Sequence, residues 1–372
     1  MAEFHVDDAG LAQLAKALEE AFLDACQIQY RLANHAELPP GGEGLLNAVR
    51  GGVQHTYRWG QEHTKRIALL LSDTGRAVES AGKRYRESDD RAAQALDSFF
   101  VGQEKGRFKE LPPPRTGRLF QDGGVHGVEW YLQPGNNLRE PPNFEYQFNH
   151  LADTLSPSAH IRNIVYQIFN YDIFEFFLQW IAGDWNGLWS AGSEFQNAGA
   201  AVECLGNNVV AFANDLPAVW RGNAADGCRD YLLRLGQAIS AQEGVYRSVG
   251  AEYQHAAKLA YQEFELAGAV LGMLLDKLIE IGIAIAAGTA TIETVVGGVI
   301  GYGVAAYLIK QAYDLWTEFN KIFANLDTII KSINYGLSNV NGSNGVKICA
   351  LPLPPAPYKF AQDKAGPIAP TG

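Results

Sequence analysis

From Leu188 the apolar and small residues fall at Leu188, Ala191, Phe195, Ala198, Val202, Leu205, Val209, Phe212 and Leu216, separated by alternating steps of three and four. Such steps put one side chain per turn on a single stripe of an α-helix, whereas a strand needs a period of two. No other feature constrains the fold so tightly. Beyond Pro217 and the stretch LPAVWRGNAADG, a new stripe runs through Ala225, Cys228, Leu232, Leu235, Ile239, Tyr246, Val249, Tyr253, Ala256 and Ala260, with only Gln242 off the pattern. Taken as one helix from Asn223 to about Leu266, this arm reaches ~65 Å at ~1.5 Å per residue. Two long arms therefore meet at a tight turn holding Trp220 and Gly222.

A similar pair of arms precedes it. Leu11, Leu14, Leu18, Ala21, Ala25, Ile28 and Leu32 form one stripe; Ile67, Leu71, Thr74, Val78, Ala81, Tyr85, Ser88, Ala92, Ala95 and Phe99 form another. Between them ELPPGGEG stops a helix and permits a reversal, and Gly51 and Gly52 are placed to break or delay the second arm. Residues 1–107 thus read as an antiparallel helical hairpin. Residues 108–160 lose the helical period and mix Pro and Gly with Trp130, Tyr131, Phe144, Tyr146 and Phe148; this connector is expected to pack on something, with a short β-hairpin around GVEWYLQPGN. Residues 161–337 return to helix. They open with NIVYQIFNYDIFEFFLQWIAGDW, in which Tyr171 reads as core, and close with an amphipathic helix from about Tyr307 to Leu337. Residues 338–372 form a proline-rich tail expected to be extended and mobile. The expected fold is all-α: two long antiparallel helical hairpins packed with helices rich in small residues.

Charge narrows the function. Thirty Lys and Arg face 41 Asp and Glu, a formal charge of −11, and affinity for nucleic acid rests mainly on cations that neutralise phosphates. Nucleic acid is not an expected partner. The longest charge-free runs of the apolar segment 266–309, from Ile281 to Ile292 and from Thr294 to Ile309, fall short of the ~20 residues that cross a bilayer. It reads as small-residue helices packed on the hairpin, with a membrane-inserting hairpin as the alternative. The start, MAEFHVDDAG, has neither the basic nor the apolar region of a signal peptide.

No chemistry stands out. The four cysteines form no C-x-x-C pair and read as packed thiols. The histidines show no H-E-x-x-H spacing, and His55 and His63, two helical turns apart, read as packed or solvated. No nucleotide loop or nucleophile elbow is present. The reading is a non-enzymatic protein without a catalytic residue, cofactor or metal.

Two short strings remain, each near its chance frequency and therefore informative only by position. Trp-x-Gly occurs at Trp185–Gly187 and at Trp220–Gly222, the second copy where two stripes reverse. Tyr-x-x-x-Asp/Glu sets an aromatic and a carboxylate one helical turn apart. It occurs from Tyr85 to Asp89, from Tyr171 to Glu175 and from Tyr261 to Glu265.

The order IFEFFLQWIAGDW, long helix, LPAVWRGNAAD, long helix, then GTATIETVVGGVIGYGVAAY resembles the WXG superfamily of type VII secretion substrates, in particular the N-terminal region of large actinobacterial toxins. Residues 1–105 resemble the small secretion-associated hairpins that end in a YxxxD/E signal, and the pairing is similar to EspB-like substrates that fuse two helical halves. The resemblance implies export without a cleaved signal peptide to the medium or the cell surface. It further implies a type VII secretion ATPase as the reader, and a small WXG protein or a second copy as a partner. Carried over by residue, the signal is Tyr85, Asp89, Trp220 and Gly222, with Tyr261 and Glu265 as an alternative pair. The first hairpin turns at LPPGGEG and has no Trp-x-Gly; either it borrows the turn of the second or it is not an autonomous signal. The resemblance leaves open a structural or interaction protein, a delivery region of a toxin, and a pore former acting through 266–309.

Overall fold

The computed structural model describes residues 4–38, 44–87, 120–121, 124–125, 132–142, 157–286 and 303–340. The fold is all-α. Its helices are α1 (Asp8–His35), α2 (Leu46–Glu87), α3 (Ala159–Phe169), α4 (Ile173–Ile181), α5 (Trp185–Asp215), α6 (Asn223–Ser240), α7 (Glu243–Ala286) and α8 (Gly303–Ser338). Strands are short: β1 (His5–Val6) pairs antiparallel with β4 (Trp220–Arg221), and β2 (Phe120–Gln121) with β3 (Gly124–Val125).

Side-chain caps fix where several helices begin. Asp7 accepts from the Ala9 amide, Ser158 from Ile161, Asp172 from Phe174 and Glu175, and Asp184 from Gly187, each satisfying an amide that the first helical turn leaves unpaired.

The first hairpin runs antiparallel, since Gly82 faces Leu11, Gly75 faces Leu18, and the Tyr57 hydroxyl donates to the Ala33 carbonyl at 3.2 Å. In the second hairpin, Gly192, Gly199 and Gly206 recur every seventh residue along α5; Gly192 meets Gly250 and Gly206 meets Gly236 on the opposing arm, while Gly199 faces Tyr246 and the Glu243 carbonyl. A Cβ at Gly206 would stand 2.4 Å from the Ser240 nitrogen, and one at Gly250 2.4 Å from the Gly192 oxygen. The arms therefore approach backbone to backbone, which only residues without a Cβ allow.

Hydroxyl pairs join the hairpins. Thr56, Thr64 and Thr74 of α2 lie 2.5, 3.0 and 3.4 Å from the hydroxyls of Tyr253, Tyr246 and Tyr231 on the second hairpin. All six residues are buried, and a polar group lodged in a core without such a partner costs about 1–3 kcal/mol. A part-buried ion pair adds to this: Arg31 of α1 reaches the buried Glu194 of α5 at 2.5 Å and also donates to the Arg139 carbonyl at 2.9 Å. Burial pushes the Glu194 carboxyl up despite the opposing charge of Arg31.

The described part of the connector packs in the groove between α1 and α5. Asn208, Asn137 and Asn197 tie it down through the Leu132 carbonyl (2.7 Å), the Cys204 sulfur (3.2 Å) and the Arg139 carbonyl (3.0 Å). Pro134–Asn137 form a 3-10 turn where the sequence pointed to a hairpin; the first five residues of that expected hairpin, 127–131, and the five connector aromatics lie outside the described residues.

Several expectations are corrected. The arm after the turn is two helices, α6 and α7, separated at Ala241 and Gln242. Gln242 is fully buried and its Nε2 donates to the Ala238 carbonyl at 2.8 Å, so the off-pattern residue marks a helix break. The second of these helices runs on past Leu266 to Ala286. Gly51 and Gly52 do not break α2. Gly52 instead admits α8, its amide donating to Asn334 Oδ1 at 2.6 Å, and a Cβ there would stand 2.7 Å from the Asn334 carbonyl oxygen. Tyr171 is not core. It is 40% exposed, because Asn170 takes a left-handed turn (φ 64°) that ends α3 and swings the ring outward onto Trp316.

In segment 266–309, Leu266–Ala286 form the outer part of α7 and Gly303–Ile309 begin α8. Ala267, Val270, Leu271, Leu274, Leu278 and Ile281 are buried. Among the described residues no helix is long and apolar enough to cross a membrane. Cys26, Cys204 and Cys228 are free thiols.

Candidate functional site

Pro217 has no amide hydrogen, and around it α5 gives way to a 3-10 turn over Leu216–Ala218. Trp220 and Arg221 then extend, Arg221 Nε donates back to the Pro217 carbonyl at 2.9 Å, and Gly222 begins α6 with its carbonyl accepting from the Asp226 amide at 2.9 Å. Gly222 has φ 133° and ψ 179°, a conformation open essentially to glycine alone. This requirement gives Trp-x-Gly its glycine.

The elbow is completed by the other hairpin. Val6 pairs with Trp220 and His5 with Arg221, and the Asp7 amide donates to the Val219 carbonyl at 2.7 Å. Gly10 lets the first turn of α1 close on Val219, whose Cγ1 would lie 2.3 Å from a Cβ there. The Trp220 indole, 4% exposed, meets Tyr85 edge to face with ring centroids 5.8 Å apart, and the Phe4 ring also lies 5.9 Å from Tyr85. Tyr85 is half-buried, so part of its ring reaches the surface.

Three of the four residues that the resemblance assigns to a signal, Tyr85, Trp220 and Gly222, are thus brought into one cluster although Tyr85 and Trp220 lie 135 positions apart in the chain. The elbow of the second hairpin sits at the open end of the first, where α1 begins and α2 ends. Asp89 lies outside the described residues. Tyr261 is not brought to the elbow: it lies 39 residues beyond Gly222 along α6 and α7, ~58 Å of helix at ~1.5 Å per residue. Its ring is 8% exposed and its hydroxyl donates to Glu265 at 2.6 Å, so this pair is closed on itself.

The other Trp-x-Gly copy does a different job. Trp185 opens α5, fully buried, with Nε1 donating to the Ile181 carbonyl at 3.1 Å. The Gly187 amide donates to Asp184 at 2.7 Å, and a Cβ on Gly187 would stand 2.2 Å from that carboxylate. This copy is a helix start.

Sequence reasoning did not identify Phe4, His5, Val6 or Gly10 as parts of the elbow. Strand pairing of two residues each carries no periodic signal, and Gly10 lies inside a helix whose stripe it does not disturb. In chemical terms the elbow offers aromatic surface, extended backbone and the Arg221 guanidinium. Elsewhere, His63 is half-buried against Trp59 and Tyr246, and desolvation together with the Arg66 charge lowers its imidazole to about 4. Among the described residues no group of three or more His, Cys, Asp or Glu could hold a metal ion. No family model matches this chain, and no curated protein or solved structure matches it significantly.

Proposed function

We propose that this chain is a non-enzymatic substrate of a type VII secretion system, a helical structural or delivery module released to the medium or the cell surface. The elbow at Trp220 and Gly222 together with Tyr85 forms the signal, and the secretion ATPase reads it. The observation that supports this reading is the contact of Tyr85 with Trp220. Two motifs that belong to different hairpins, and that the resemblance assigns to one composite signal, stand edge to face at 5.8 Å. The first hairpin borrows its Trp-x-Gly from the second. Tyr261 and Glu265, remote and mutually satisfied, are the weaker pair.

The test is export from a host with an active type VII system. Tyr85→Ala, Asp89→Ala and Trp220→Ala are compared with Tyr261→Ala by immunoblot of cells and medium. The reading expects the first three to accumulate in cells while Tyr261→Ala is exported; unchanged medium levels for all three would sink it. Thermal melting of each purified variant separates a lost signal from a lost fold.

One observation favours a further role in contact with membranes or a WXG partner. The outer part of α7 exposes Leu266 and Met273 on one face and Ile279 and Ile283, one turn apart, on another, apolar surface on which a membrane or a partner helix would dock. Dye release from liposomes at mildly acidic and neutral pH tests the lipid case, and absence of release at both counts against it.

A further inference from the structure

A cleft of about 350 Å³ opens between α1 and α5 beneath the connector residues Leu132–Gly135. Its α1 wall carries Glu20, Asp24 and Gln27, and its α5 wall Asn208 and Phe212. Glu20 and Asp24 stand one helical turn apart on the same face. Burial, helped by the Glu20 charge, pushes the Asp24 carboxyl up to about 6. Among the described residues that line the cleft there is no Lys, Arg or His to offset these charges.

Asn208 gives an independent indication. It is 4% exposed, and its Nδ2 donates to the Leu132 carbonyl at 2.7 Å, an arrangement that fixes which way the amide faces, because turning it would set oxygen against oxygen. Its Oδ1 is then buried with no donor from the protein. An unmet buried acceptor is uncommon in a folded chain. Here it borders a cleft whose charged groups are both carboxylates. What is missing is a positively charged donor. The remaining walls, Ala17, Ala21 and Phe212, are apolar, and the volume is at the small end of sites that take small molecules, larger than a bare ion needs.

We propose that this cleft binds an alkylammonium or alkylguanidinium group, its N–H donors on Asp24, Glu20 and Asn208 Oδ1 and its methylene stem against Ala21 and Phe212. The group comes either from a free amine or from a lysine or arginine side chain of a partner protein.

Isothermal titration of the full chain tests this with agmatine, 1,4-diaminobutane and a capped arginine tripeptide as probes, alongside tetramethylammonium and calcium chloride. The expected result is saturable binding of at least one N–H cation at one site per chain. Asp24→Asn and Glu20→Gln should each weaken it about tenfold or more, the scale of a charged hydrogen bond. Tighter binding of the tripeptide than of agmatine assigns the source to a protein side chain; the reverse assigns it to a free amine. Absence of saturable binding by all three probes overturns the proposal. So does equal binding by tetramethylammonium, which has charge but no donor, unchanged affinity in both variants, or a response to calcium alone. Both substituted residues retain solvent contact on α1 and conserve side-chain shape, and circular dichroism verifies that the variants remain folded.

Discussion

Removing the rings of Tyr85 and Trp220 singly and together measures whether the two hairpins are coupled at the elbow. Trp220 is 4% exposed, so Trp220→Ala leaves a large cavity and should cost about 3–5 kcal/mol. Tyr85 is half-buried, and Tyr85→Ala should cost about 2 kcal/mol. Their rings meet edge to face at 5.8 Å and 70°, a geometry that contributes about 0.5–1.5 kcal/mol beyond the area it covers. Once Trp220 is gone, Tyr85 has already lost that contribution. The double variant should therefore be less destabilised than the sum of the singles by about 1 kcal/mol. Urea unfolding followed by far-ultraviolet circular dichroism gives the four midpoints. Tyr85→Ala combined with Trp185→Phe serves as the control: Trp185 packs on Phe264 near the start of α5, away from the elbow, and those effects should add. A coupling below about 0.3 kcal/mol between Tyr85 and Trp220 would refute the reasoning, since rings in contact cannot be energetically independent. In export, the same logic predicts that the double variant is secreted no worse than the poorer single.

The glycine contacts predict opposite outcomes for one chemical change. Gly272→Ala in mid-α7, where a Cβ meets nothing within 4 Å, should stabilise by about 0.5–1 kcal/mol through helix propensity, whereas Gly206→Ala forces the backbones of α5 and α6 apart and should destabilise by about 1–3 kcal/mol. Urea midpoints of the two variants read the sign, and a Gly206→Ala protein as stable as the parent contradicts the close approach. Asp24 predicts a pH effect. Its folded-state pKa, about 6, lies above the ordinary 3.8, so the folded chain holds the proton more tightly and loses stability as pH rises between those values. Asp24→Asn should consequently stabilise the protein by about 1 kcal/mol at pH ~7, a figure lowered for the solvent that reaches the carboxyl, and by almost nothing near pH ~4. Equal gains in thermal midpoint at both pH values would contradict this.

Much of the fold was legible because stripe periodicity is a local property. Leu188 to Leu216 repeats every three or four residues, and a chain with that spacing can bury those side chains on one side only as a helix. The break at Gln242 was visible as the lone polar residue in its stripe, but its meaning depended on the Ala238 carbonyl that receives its amide. Tyr171 looked like core by composition; the left-handed Asn170 before it, a backbone choice that no stripe reports, turned it outward. In the elbow, Trp220 and Gly222 were marked by their place between two stripes, and Tyr85 by its acid partner. Phe4, Val6 and Gly10 were not marked, because their partners are more than 80 residues away.

The sequence by itself determined that this chain makes long helices, where α5 stops, and that the chain reverses between two stripes at Trp220 and Gly222. Spacing and the lack of an amide hydrogen on proline act within a few residues. Which helices lie side by side was decided only by tertiary structure. Three threonines of one hairpin had to find three tyrosine hydroxyls of the other, Arg31 had to reach Glu194, and a two-residue strand had to close on the elbow. Such pairings depend on complementary shape and on buried polar groups meeting their partners across the fold, and neither leaves a period in the chain.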